Sequence, residues 1–277
     1  MSSLPRFLVD GSVSDTVDVR DRGLHYGDGV FETIAVRDGE PLRWGRHLTR
    51  LQKGCRRLCI SEPDAAILEG EARALCAGHG QAVLKLIVTR GVGTRGYASS
   101  IGVPATRILG LYPWPNFPAH NNSRGIAVRV CSTRLGVNPS LAGIKHLNRL
   151  ENVTARLEWD DGAFEEGLML DVDEFVIEAT AANLFLVVGE RLLTPRLDRC
   201  GVAGIMRELI LEGAGAMGIP VSEARVTLGD LQTADELFLS NTLIGIWPIH
   251  QVGQRRVPIG PLAGRIRESL DAEQSIT

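Results

Sequence analysis

The chain has 277 residues, of which 44% are hydrophobic and 23% charged, a balance that suits two globular lobes with sizeable cores. Thirty basic side chains face 33 acidic ones, for a net charge of −3, which leaves no electrostatic footprint for nucleic acid or an anionic membrane. No apolar run reaches the length of a membrane span, and MSSLPRFLVDG lacks the basic and apolar regions of a leader peptide, so the reading is a cytoplasmic protein.

The first part of the chain is strand-rich. VFETIAVRDGEPLRW alternates in polarity and carries an Asp38-Gly39 turn, the pattern of a hairpin. Alternation along VFETIAV puts Phe31, Thr33 and Ala35 on one face. A helix is expected from about Gly45 to Leu58, with Leu48, Leu51, Cys55 and Leu58 on one side. A second should begin after a Ser61 cap, with Pro63 in its first turn. AVLKLIVTR and ATRILGLY read as strands, giving helices on a mainly antiparallel sheet.

Five cysteines, Cys55, Cys59, Cys76, Cys131 and Cys200, are an odd and scattered set that does not form a disulfide framework. Cys55, Cys59 and His47 fall near one helix face, but no second Cys/His cluster completes a metal site. They are read as buried free thiols, and no metal is expected.

GVGTRG, Gly91 to Gly96, matches the dinucleotide fingerprint G-x-G-x-x-G. That fingerprint needs a helix to open there, whereas Gly102 and Pro104 follow. A glycine-rich turn is expected instead, bracketed by Arg90 and Arg95, which are placed to clamp a carboxylate. Tyr112 to Gly125 then holds three prolines, three asparagines and a glycine and reads as an interdomain connection. The expected organisation is an α+β domain over 1–112, a linker over 113–125 and a second domain over 126–277.

In the second domain GIAVRVCST, GLMLD, EFVIEAT, NLFLVVGERLLTP and ELFLSN read as short strands. GIMRELILEGAGAMG and GPLAGRIRESL read as helices, a pattern of a strongly curved or barrel-like lobe. Lys145 stands before Leu147, Leu150, Val153 and Leu157, whose helical spacing predicts one buried stripe. Such a lysine either snorkels to water or forms a Schiff base.

A lysine that forms an imine with pyridoxal phosphate needs a phosphate cradle, an acid for the pyridine nitrogen and a setting that lets it deprotonate. Glu178 lies in an apolar strand that runs into small residues. Gly201, Gly204, Ile205 and Met206 form a glycine-bearing entry to a helix. Ser240, Asn241 and Thr242 end a strand with hydroxyls and free N–H groups, and Arg50 lies on the first helix. Each taken singly fits an ordinary strand end, helix start or solvated arginine as well.

Taken in order, DRGLHYGDGVFET, HLTRLQKGCRRLCI, LKLIVTRGVGTRGYAS, PATRIL, NPSLAGIKHLNRLENV, EATAANLF, TPRLDRCGVAGIMRE and SNTLIGIWPI resemble the fold-type IV family of pyridoxal-phosphate enzymes. The resemblance runs from about Asp21 to Ile249, and is nearer to the aminodeoxychorismate lyases than to the branched-chain or D-amino acid aminotransferases. It implies a two-domain α+β fold with a small N-terminal α/β sandwich lobe and a larger C-terminal barrel-like lobe. It also implies a homodimer that holds pyridoxal 5'-phosphate and turns aminodeoxychorismate into 4-aminobenzoate and pyruvate for folate synthesis. By the same resemblance Lys145 is the catalytic imine lysine, Glu178 the partner of the pyridine nitrogen and Arg50 the phosphate arginine. Ile205 and Met206 supply backbone N–H groups to the phosphate, and Thr242 a hydroxyl. Thr33 is implied as catalytic through its hydroxyl, and Arg95 and Tyr97 as substrate-binding. A D-amino acid or branched-chain aminotransferase is the alternative.

Overall fold

The computed structural model describes residues 4–98, 102–160 and 162–274, with side chains up to 271. Ser99, in the RGYAS run, and the first three residues lie outside these. The chain forms two compact units, 1–116 with 144–148, and 117–143 with 149–277. The division at 116/117 falls inside the proline-rich run. Of that run, Pro113 ends a strand and Asn121–Arg124 form one helical turn.

The first unit is built from β1 (Arg6–Val9), β2 (Ser12–Val13), α1 (Arg22–Tyr26), β3 (Gly29–Arg37), β4 (Glu40–Pro41), α2 (Trp44–Leu58), α3 (Ala65–Cys76), β5 (Gln81–Thr89) and β6 (Thr106–Pro113). The strands make one antiparallel sheet in the order β2-β1-β6-β5-β3-β4. Asp38 and Gly39 both take positive φ between β3 and β4, the primed turn that matches strand twist. Leu51 and Cys55 of α2 are buried among Val30, Ile34 and Val36 of β3, with Leu48 and Leu58 packed beside them. Truncating a buried leucine of this kind costs about 2–5 kcal/mol. Two expectations change. Helix α3 starts later, because Asp64 accepts from Ala66 and Ile67 N–H at 2.9 Å while the Ser61 hydroxyl bonds Val103 O. Cys59 is exposed in the left-handed cap after α2, so it is not one of the buried thiols.

The second unit comprises α4 (Asn121–Arg124), β7 (Ile126–Leu135), α5 (Leu150–Arg156), β8 (Glu166–Asp171), β9 (Val176–Ala179), β10 (Asn183–Val188), β11 (Arg191–Pro195), α6 (Ile205–Ala216), β12 (Val221–Ala224), α7 (Leu228–Thr233), β13 (Glu236–Asn241), β14 (Gly245–Val252), β15 (Arg255–Arg256) and α8 (Leu262–Gln274). Its strands form a mixed sheet in the order β12-β11-β10-β13-β14-β7-β8-β9, with β15 beside β14. Register shifts at β7/β8, β8/β9 and β14/β7 bend it, as bulges do, and the sheet is curled. Phe185 and Phe238, stacked at 4.9 Å, lie in a core with Met206 and Ile210 of α6 and Ile266 of α8. Both units thus combine a curled sheet with helices, an α+β fold in two lobes.

The helix expected behind Lys145 is shorter and faces the other way. Only Leu150–Arg156 are helical, and Leu150, Val153 and Leu157 are 76%, 53% and 79% exposed. Residues 144–148 lie outside any helix and join the first unit.

Candidate active site

In the first unit, the run around Lys145 lies against β3. Phe31 N–H donates to Lys145 O at 2.9 Å, Leu147 N–H donates to Gly29 O at 3.0 Å, and Val30 and His146 form an antiparallel bridge. Only glycine fits at position 29: a Cβ there would meet Val88 O at 2.6 Å and Leu147 Cδ1 at 2.7 Å. The half-buried Lys145 presents Nζ 4.5 Å from the centre of the Phe31 ring, a cation over an aromatic face. Thr33 sits two residues along β3 on the Phe31 face, opposite Lys85, whose Nζ is 5.3 Å from the same ring.

The opposite face of β3 holds Glu32, fully buried among Val30, Ile34 and Val36. Arg50 grips it with two donors, Nε to Oε1 at 2.8 Å and Nη2 to Oε2 at 2.5 Å. His47 Nδ1 lies 2.7 Å from Oε2. Burial pushes the Glu32 carboxyl up, but the charge of Arg50 and the bonds from His47 and Arg50 bring it below its ordinary value. Burial holds the His47 pKa below its ordinary value against the pull of Glu32. The set is therefore an anion, a cation and a neutral imidazole at pH 7, fixing the guanidinium of Arg50 in one orientation. Glu32 was overlooked in the sequence, although it occupies a core-facing position of an alternating strand, and His47 was weighed only as a metal ligand, although it shares a face with Leu51.

Arg95 and Tyr97 are exposed in the loop after β5, Tyr97 at 89%. Arg90 is not free to join Arg95 on a ligand. Its guanidinium is bound to Asp28 at 2.7 and 2.9 Å and to the carbonyls of Leu58 and Cys59, which holds the end of α2.

The second unit carries the remaining positions. Glu178, on β9, is buried, and its Oε2 accepts from Val202 N–H at 2.9 Å and from the Asn183 amide at 3.3 Å. Asn183 also donates to Val202 O at 2.9 Å, so one amide locks the carboxylate to the turn before α6. Burial pushes the Arg149 guanidinium down while the charge of Glu178 pulls it up, a neighbour the sequence did not disclose. Ile205 and Met206, both buried, open α6 after Gly204, and no side chain caps this end. The first-turn N–H groups of an uncapped helix, at the positive end of its dipole, suit an anion. Ser240 Oγ is buried and has no hydrogen-bond partner among the described residues. Next to it, Asn241 Oδ1 accepts from Leu243 and Ile244 N–H at 2.9 Å, the turn that displays Thr242.

The first unit thus brings together Lys145 and Thr33, with Arg50 held on the far side of β3. The second groups Glu178 with the start of α6 through Asn183 and Val202, and carries Thr242 beside the orphaned Ser240.

Comparisons with known proteins bear on the whole of this arrangement. A solved structure described as 4-amino-4-deoxychorismate lyase from Pseudomonas aeruginosa is 48% identical, covers 96% of this chain and 98% of its own, and superposes with a TM-score of 0.93. An aminodeoxychorismate lyase of Vibrio harveyi is 37% identical over 96% of this chain and 99% of its own length. A putative branched-chain-amino-acid aminotransferase of Methanocaldococcus jannaschii is 33% identical over 92% of this chain and 90% of its own. The family model described as Amino-transferase class IV matches residues 29–252, a span that takes in Lys145, Glu178, Arg50 and Thr242 alike, and the chain belongs to that family.

Proposed function

We propose that this chain is an aminodeoxychorismate lyase that uses pyridoxal 5'-phosphate to release 4-aminobenzoate and pyruvate, acting as a homodimer. The family is pyridoxal-phosphate dependent. The observation that carries the choice of reaction is end-to-end likeness to proteins named as that lyase, at 48% and 37% identity.

The residues present fit the cofactor. A buried hydroxyl without a partner, Ser240 Oγ, and an uncapped helix start at Ile205 and Met206 are donors suited to a phosphate. In the second unit Thr242 would add a hydroxyl for the phosphate; in the first, Arg50 would offer it a guanidinium that Glu32 and His47 keep in place. Glu178, oriented by Val202 and Asn183, would hold the pyridine nitrogen. When bound, the ring supplies an electron sink for the pair released at the amine-bearing carbon.

The protein's own side chains do the rest. Lys145 would hold the cofactor through its amine and, with that amine free, would take the proton from the amine-bearing carbon of the substrate. Thr33, on the Phe31 face of β3, hydrogen-bonds the departing enolpyruvyl group. Arg95 binds a substrate carboxylate, with the ring of Tyr97 beside it. Loss of enolpyruvate leaves an aromatic ring, so positioning matters more than driving force. Incubation with aminodeoxychorismate, following 4-aminobenzoate and pyruvate together, tests the reading. Stoichiometric release of both is expected. Rapid amino transfer from D-alanine or leucine to 2-oxoglutarate, without pyruvate from aminodeoxychorismate, would replace the lyase with an aminotransferase.

A further inference from the structure

The glycine-rich run Gly91–Gly96 is not a phosphate loop, yet its sequence is tightly constrained within the first unit. It lies outside any helix or strand ladder, and its shape is imposed by the segment Arg20–Asp28. Arg22 N–H donates to Gly91 O at 3.0 Å, Gly93 N–H to Arg20 O at 3.3 Å, and Asp21 bridges Val92. The Arg22 side chain then does what the backbone cannot. It is 5% exposed, and its Nη1 donates to Gly96 O at 2.9 Å and its Nη2 to Tyr97 O at 3.3 Å.

Three features hold the guanidinium in turn. Nε donates to Asp28 Oδ2 at 2.9 Å, the carboxylate that Arg90 also grips. The Tyr26 ring lies 4.8 Å from Cζ, and the Tyr26 hydroxyl accepts from Gly96 N–H at 2.9 Å. Position 93 must be glycine for the stem to pass, since a Cβ there would meet Arg22 Cδ at 2.8 Å and Cγ at 3.1 Å. The Tyr26 ring also packs 5.6 Å from the Tyr97 ring.

We propose that Arg22 is a positioning residue that presets the loop so that Arg95 and Tyr97 meet a carboxylate of the substrate. This rests on the reading of Arg95 and Tyr97 as substrate contacts. A glycine-rich loop left to itself samples many conformations, and ordering it on binding would be subtracted from the affinity for substrate. Arg22 does that ordering during folding.

The test uses holoenzyme and compares Arg22→Lys, Tyr26→Phe and Gly93→Ala with Arg95→Ala. Lysine cannot span Asp28 and two carbonyls, alanine at 93 displaces the Arg22 stem, and Tyr26→Phe removes only one acceptor. If Arg22→Lys fails to fold, the other two still report. We expect hydrogen exchange of a peptide covering 91–98 to accelerate in all three. KM for aminodeoxychorismate should rise about tenfold in Arg22→Lys and Gly93→Ala, and by less in Tyr26→Phe, with kcat within about twofold and the cofactor spectrum unchanged. Arg95→Ala should raise KM without changing exchange. A faster-exchanging loop with wild-type KM would overturn the inference, as would wild-type exchange in all three variants. A wild-type KM in Arg95→Ala would bring down the underlying reading of the loop, a result distinct from either.

Discussion

The imidazole of His47, 1% exposed and 2.7 Å from the carboxylate of Glu32, ties the stability of the first unit to pH. Burial keeps its folded pKa below the ordinary value of 6.5, although Glu32 pulls it upward. The unfolded chain takes up a proton near pH 6.5 that the folded chain refuses, so stability is present above that value and falls as pH drops toward the folded pKa. The slope is at most 1.36 kcal/mol per pH unit for one proton, which sets a ceiling of about 1 kcal/mol on the loss between about pH 7 and pH 5.5. Glu32 acts lower down. Its folded pKa is depressed below 4.5, so its contribution is present above that value and lost as pH falls beneath it. His47→Asn keeps an N–H within reach of Glu32 and does not titrate. Urea unfolding of both proteins across this interval should show wild type losing more stability than the variant, by up to about 1 kcal/mol. Parallel pH profiles would refute the reasoning, because they would mean that His47 binds its proton equally well folded and unfolded.

Further outcomes follow from the site. Lys145→Ala should lose covalently held cofactor, checked by borohydride reduction and peptide mapping of the wild type; label on Lys53 or Lys85 would refute the assignment. Glu178→Gln should retain cofactor but lose about two orders of magnitude in kcat, and normal turnover would make Glu178 a structural residue. Thr33→Val, nearly isosteric, should slow 4-aminobenzoate formation roughly tenfold with an unaltered cofactor spectrum, and an unchanged rate would leave Thr33 a strand former only.

Where one face of an element meets a core within the same unit, the sequence was readable. The β3–β4 hairpin follows from Asp38-Gly39, and the stripe of α2 from Leu48, Leu51, Cys55 and Leu58, because a local pattern and a local turn decide both. The run behind Lys145 misleads for a physical reason. Leu147, Leu150, Val153 and Leu157 recur at helical spacing, but spacing marks an apolar face without saying what covers it. In this chain three of the four are exposed, and Leu147 belongs to the non-helical run beside β3. That run is fixed by Lys145 O and Gly29 O, a pairing across more than a hundred residues that no periodicity encodes.

The site divides along the same line. Lys145, Glu178, Arg50 and the start of α6 sit in motifs that can be read as written, whereas the groups that orient them reach those positions only through the fold. Asn183 and Val202 meet at Glu178 from different elements, and Arg22 reaches Gly96 across 74 residues. Some of this was nonetheless available. An acid between Val30 and Ile34 on the core-facing side of an alternating strand must be paired to be tolerated, and a histidine one turn before Leu51 on a buried helix face is the nearest partner of suitable chemistry. Reading Glu32 as an obligatory ion-pair member, instead of as one more strand residue, leads directly to His47 and Arg50. It also changes what Arg50 is: a surface arginine would have to be ordered by its ligand, whereas one already held at two nitrogens by a buried carboxylate would, in the phosphate-binding role proposed for it, avoid that entropic loss.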